Sequence, residues 1–180
     1  MTLEVRRVVT GHDENGKAII AIDEIAKNVI TRRPGADSAV VWATNSFPPD
    51  MDTDQDISHD VTSTTIPNGV VCRISRFGPG VVPRVHRTAS VDYAIVLSGE
   101  IDMEMDDEVV HLKARDVLVQ RGTIHNWVNN GTEPCMIAFI LIDAVPVPDQ
   151  MVVVQMVVVL IIVVLIVVVQ IVVVLIVVVL

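Results

Sequence analysis

The chain has 180 residues and a formal net charge of −9, which excludes the basic surface that a nucleic-acid binder needs to displace counterions from phosphates. Its 13 Lys and Arg and 22 Asp and Glu all lie in residues 1–150, one domain's length and enough to bury a core. Two cysteines are too few for a disulfide scaffold, and the acidic balance also disfavours docking on anionic lipid.

The opening residues Met1–Arg7 contain no apolar run of signal-peptide length. The expectation is therefore a reducing, cytoplasmic setting with Cys72 and Cys135 as buried strand residues. Helical periodicity is scarce along 1–150. Short β-branched runs predict strands over Leu3–Thr10, Ala18–Ile22, Ser38–Ala43, Gly69–Arg76, Val91–Leu97, Glu100–Met105, Val109–Lys113, Val117–Gln120, His125–Asn129 and Cys135–Ile142. Between them stand Asn15-Gly16, Pro34-Gly35, Gly78-Pro79-Gly80, Asp106-Asp107 and Asn130-Gly131, all good turn formers. Strands at this spacing without amphipathic helices indicate an all-β sandwich or barrel. Ile101, Met103 and Met105 alternate with Asp102, Glu104 and Asp106, as in a strand with one wet face. Residues 45–68 are the least regular and are expected to form a long loop over a barrel mouth.

Residues 151–180 form a second region. They hold 17 Val, 5 Ile, 4 Leu, 2 Met and 2 Gln in a five-residue repeat, and are read as lying outside the fold of 1–150. A period of five matches neither helix nor strand, so no amphipathic face results. As a helix the segment would span roughly 45 Å, enough for a C-terminal membrane anchor. Its valines instead favour extended, aggregation-prone structure. A translated tandem repeat with no evolved role is the third reading and the preferred one; without a real anchor, no membrane partner is expected.

The residues that carry chemistry lie between Gly80 and Asn129. The first stretch reads Gly80-x5-His86-x-Thr88-x3-Asp92-x6-Gly99, and the second reads Asp116-x4-Arg121-Gly122-x2-His125-x3-Asn129. In a barrel, alternate strand residues face inward, so candidate ligands recur at spacings of two. These stretches resemble the two motifs of the cupin family, G-x5-H-x-H-x3-E-x6-G and G-x5-P-x-G-x2-H-x3-N. The resemblance covers about residues 69–147, with weaker similarity from Arg6 to Lys17. Within it, His86 through Glu100 and Val119 through His125 look most like small cupins of natural-product gene clusters, some of them described as cupin-domain oxidoreductases. It departs from the pattern at Thr88 (the family's second histidine), Asp92 (its glutamate) and Arg115 (the glycine opening the second motif). The second motif's proline is absent and its turn is one residue shorter.

The resemblance implies a cupin-type double-stranded β-helix, or jelly-roll barrel, and, since cupins commonly pair through their sheets, a homodimer. It also implies three retained metal ligands: His86, Asp92 and His125. Two imidazoles and a carboxylate suit Fe(II), with Mn, Ni and Zn compatible with the same set. Thr88 is a poor direct ligand but suits a metal-bound water. Alternation nominates Arg84, on the face of His86, to pair with a substrate carboxylate or enolate, or else to form a rim salt bridge. Trp127, on the face of His125, is a pocket wall or simply core, and Gln120 is a further pocket candidate. Gln120 and Tyr93 are both weaker candidates than Arg84 and Trp127. His111 is expected to be exposed and unpartnered. The leading expectation is a metal-dependent cupin oxidoreductase acting on a small organic secondary metabolite. The alternatives are a cupin dehydratase or isomerase, and a non-catalytic small-molecule-binding cupin that has lost its metal.

Overall fold

The computed structural model describes residues 3–51, 55–148 and 160–166. The chain divides into two compact units, Met1–Pro146 and Val147–Leu180. Described strands of the first unit are β1 (Arg6–His12), β2 (Ala18–Ile25), β3 (Val29–Arg33), β4 (Ala36–Thr44), β5 (Val70–Phe77), β6 (Ser90–Ser98), β7 (Glu100–Glu104), β8 (Val109–Lys113), β9 (Val117–Arg121), β10 (Asn126–Val128) and β11 (Cys135–Asp143). All pair antiparallel. One sheet has the order β3-β4-β5-β11-β6-β9, a second β10-β7-β8, and β1 and β2 form a separate hairpin.

This is the jelly-roll barrel expected from the sequence, and its core lies between the two larger sheets. Val71, Val96, Ile137 and Leu141 point inward from the six-stranded sheet, and Ile101, Met103 and Trp127 from the three-stranded one. The alternation predicted for β7 is present: Ile101 and Met103 are buried, while Glu104 is exposed. Gly99 turns β6 into β7 at φ 72°, and a Cβ there would meet the Pro134 carbonyl oxygen at 2.6 Å, so both the turn and the close approach require glycine. Arg115 stands where the family motif has glycine, and it adopts a left-handed φ of 84°.

Each predicted strand has a counterpart, β8 with the same ends and the others with shifted ones, and β3 is an addition. Val29–Arg33 is a short edge strand whose polar residues hide its period. Pro34-Gly35 turns it into β4, with Gly35 at φ 82°. Two smaller expectations need correction. Cys72 is half-buried, because it faces away from the barrel interior on β5, although both cysteines are free thiols. His111 is exposed but partnered, with Nδ1 2.7 Å from Asp102 and Nε2 3.5 Å from Glu100, and its pKa is raised, chiefly by the Asp102 hydrogen bond.

Of the segment from 45 to 69, the described residues 45–51 and 55–69 are irregular apart from a 3₁₀ turn at Ser58–Asp60. It is tied down by Arg7, which is 2% exposed. Its guanidinium reaches Asp56 (2.6 Å), Glu24 (2.6 Å) and the Ser58 hydroxyl (2.6 Å). Asn28 Nδ2 donates to the carbonyls of Ser58 and Val61. In the second unit, residues 160–166 are helical and exposed. Among the described residues no helix is long and apolar enough to cross a membrane. The rest of the repeat, and the choice among its three readings, lies outside the described residues.

Candidate active site

A cavity of about 80 Å³ opens between the sheets and is lined by Arg84, His86, Asp92, Gln120, His125 and Trp127, all nominated from the sequence. A single water needs about 10–15 Å³ on this scale, so the space suits a compact small molecule.

Two histidines meet through the backbone. His86 lies outside the named strands, in an isolated antiparallel bridge with His125. The His86 amide donates to the His125 carbonyl at 3.0 Å, and the His125 amide returns the bond at 2.9 Å. The rings lie 4.5 Å apart between centroids. His86 Nδ1 is 3.0 Å from the Arg84 carbonyl, and His125 Nδ1 is 3.0 Å from the Thr123 carbonyl. Donation to those carbonyls leaves Nε2 of each ring with a free lone pair. Burial pushes the His86 pKa down to about 4, and burial also lowers that of His125. Both imidazoles are therefore neutral near pH 7, the form that donates to a metal.

Asp92 is 5% exposed on β6, so the register places it inside. Its neighbour Tyr93 is 41% exposed on the opposite face, which removes it from the pocket. The Asp92 carboxylate accepts from the Ser90 hydroxyl and, at 3.4 Å, from Thr88. Burial raises its pKa, against the lowering effect of the Ser90 bond and of nearby His125. Among the described residues no three His, Cys, Asp or Glu side chains converge as a ready metal cage. The donor chemistry nevertheless fits a divalent ion: two neutral imidazoles with Nε2 free, and a hard carboxylate oxygen beside one of them.

The other nominated residues divide by role. Trp127 is both wall and core: it is 4% exposed, stacks with Phe77 at 6.1 Å and meets Phe139 edge-on at 5.6 Å. Gln120, 2% exposed, donates to the Thr123 carbonyl (2.7 Å) and hydroxyl (3.1 Å), and its Nε2 stands 3.0 Å from His125 Nδ1. With both amide protons directed at Thr123, it braces the turn that carries His125. Arg84 lines the mouth with an exposed side chain, and among the described residues its guanidinium forms no salt bridge.

Three pocket arginines escaped the sequence reading. Arg32 and Arg33 sit on the unpredicted β3. Arg73 lies on a predicted strand, where alternation with Val71, Ser75 and Phe77 was the available signal. Apolar Val70, Cys72 and Ile74 on the other face obscured it. That face is legible only from the structure, in which Leu3, Val5 and Ala26 form a small cluster with Ala39 and Met136.

Residues 73–142 match the family described as the cupin domain. The cupin-domain-containing oxidoreductase fogC of Aspergillus ruber is 33% identical over 147 residues, covering 77% of this chain and 72% of that protein. This chain belongs to the cupin family. The cupin is also 34% identical to the cupin-domain-containing oxidoreductase virC of Hypocrea virens, over 78% of its own length and 77% of the relative's. A third relative is the oryzines biosynthesis cluster protein J of Aspergillus oryzae, at 34% identity over 80% of this chain and 86% of that one.

Proposed function

We propose that this cupin is a metal-dependent oxidoreductase acting on a small organic metabolite, with His86, His125 and Asp92 as the metal donors. The observation that carries the reading is the bridged histidine pair, neutral and with both Nδ1 atoms turned to backbone carbonyls. Its relatives' names support the oxidoreductase class and a place in natural-product biosynthesis. A bound iron would supply Lewis acidity and redox chemistry at the end of the cavity lined by these donors; manganese, nickel or zinc fit the same donors less specifically. The chain's own contributions are more local. The Thr123 and Arg84 carbonyls fix the imidazole tautomers, as outer-shell partners of metal ligands do. Phe77, Trp127 and Phe139 wall the cavity with apolar surface, which excludes water from that side.

The test is metal analysis of the full chain purified without a histidine tag, beside His86→Ala and His125→Ala, followed by oxygen uptake with candidate metabolites. Near-stoichiometric metal, lost in both variants, is the expected result. A folded protein that takes up no iron, manganese, nickel or zinc even on reconstitution overturns the reading in favour of a ligand-binding cupin.

We also propose that the protein is a homodimer. On β6 and β9 the face away from the core presents Tyr93, Leu97, Val117 and Val119, each at least 41% exposed. A contiguous apolar patch of this kind on an edge strand is a natural pairing surface.

A further inference from the structure

Four arginines line the cavity: Arg32 and Arg33 from β3, Arg73 from β5, and Arg84. Asp92 is the sole carboxylate among its lining residues. Among the described residues none of the four guanidiniums forms an ion pair with a carboxylate. Arg32 donates to the Thr62 carbonyl at 2.6 Å. Arg33 makes long contacts to Asn126 Oδ1 (3.4 Å) and the Trp127 carbonyl (3.3 Å), and lies 5.8 Å from the Phe77 ring centre. In a chain of net charge −9, this surplus of cations around one small space is a specific feature.

Arg73 is the most deeply buried of the four. It is 4% exposed, and one Nη donates to the carbonyls of Ser63 and Thr64. Its Nε is buried with no hydrogen-bond partner. A buried cation is costly to leave without a counterion, and an anion held in the cavity supplies one. Burial pushes the Arg73 pKa down to about 10, so it remains a cation near neutral pH. Arg32 and Arg84 are exposed and Arg33 half-buried, so the charges are graded from mouth to interior. Between them Phe77, Phe139 and Leu141 offer an apolar surface.

We propose that this pocket binds a compact dicarboxylate, with one carboxylate at Arg73 and the other among Arg32, Arg33 and Arg84. The carbon skeleton lies against the phenylalanines, and the cavity of about 80 Å³ keeps that skeleton short. The inference rests on the reading of this cavity as the active site, and adds the class of substrate.

The experiment is calorimetric titration of the full chain, stripped with chelator, with succinate, its monoanionic analogue butyrate, and inorganic phosphate. Metal content is measured separately on the same preparation, so loss of the metal reading leaves this result intact. Succinate should bind at least tenfold more tightly than butyrate or phosphate. Arg84→Gln, on an exposed residue, should weaken it about tenfold while the far-UV spectrum is unchanged, and Arg73→Gln should do so more strongly. If Arg73→Gln does not fold, Arg84→Gln and Arg33→Gln decide the matter. Equal binding of succinate and butyrate, phosphate binding as tightly as succinate, succinate binding only with metal restored, or unchanged affinity in Arg84→Gln overturns the proposal.

Discussion

Asp92 on β6 and Gln120 on β9 stand directly opposite one another in the sheet. Both are buried and both line the cavity. This cross-strand pair puts the candidate carboxylate ligand beside the amide that braces His125. Gln120→Leu keeps the volume and removes the brace on Thr123. Metal affinity should fall by roughly 10–100-fold, the usual effect of losing an outer-shell partner. Stability should fall by about 1–2 kcal/mol, because the Gly122 amide also loses its Gln120 acceptor. Metal titration and urea unfolding of the same variant check both.

Asp56 gives the fold an acid-sensitive point. Burial works against its charge, but hydrogen bonds from Arg7 and Ser58 prevail and hold its pKa at about 2. A carboxylate whose folded pKa lies below its unfolded value stabilises the fold above the unfolded value, near 3.8. That contribution is lost as pH falls from there through 2. Asp56→Asn should cost about 2–3 kcal/mol at pH 7, since Arg7 keeps Glu24 but loses one buried partner. The variant should also flatten the decline in stability between pH 4 and 2, measured by urea unfolding at each pH.

Arg115 occupies the position of the motif glycine with φ at 84°. A side chain in that region costs roughly 1–2 kcal/mol, and Arg115 is exposed, so little packing offsets it. Arg115→Gly should therefore raise the urea midpoint, by the equivalent of about 1 kcal/mol.

The fold was largely legible because the β-branched runs and turn dipeptides agree with one another. The bridged histidines were legible for a different reason: their spacing follows the family motif even though His86 lies outside any named strand. What escaped was charge. Val29–Arg33 is too short and too polar to show a period, and its two arginines help to line the cavity. Arg73 sits in a strand with apolar residues on both faces, so the sequence did not say which face was inside. The direction of the Gln120 amide, toward Thr123 and His125, depends on a turn whose geometry no spacing encodes.

The homodimer is tested at Val117 and Val119, which alternate on the exposed face of β9. Light scattering on the full chain should give twice the chain mass. The double variant Val117→Lys, Val119→Lys should give one chain mass with the fold retained. A monomer in the unsubstituted protein contradicts the proposal.

The central claim is that His86 and His125 present Nε2 as neutral donors to one metal ion. The most direct measurement is the imidazole ¹⁵N spectrum of the metal-free protein at pH 7, followed by addition of zinc. The account predicts that both rings are protonated at Nδ1, and that the two Nε2 resonances shift together and stop at one equivalent of zinc. Rings protonated at Nε2, or Nε2 resonances that zinc leaves in place, would contradict it.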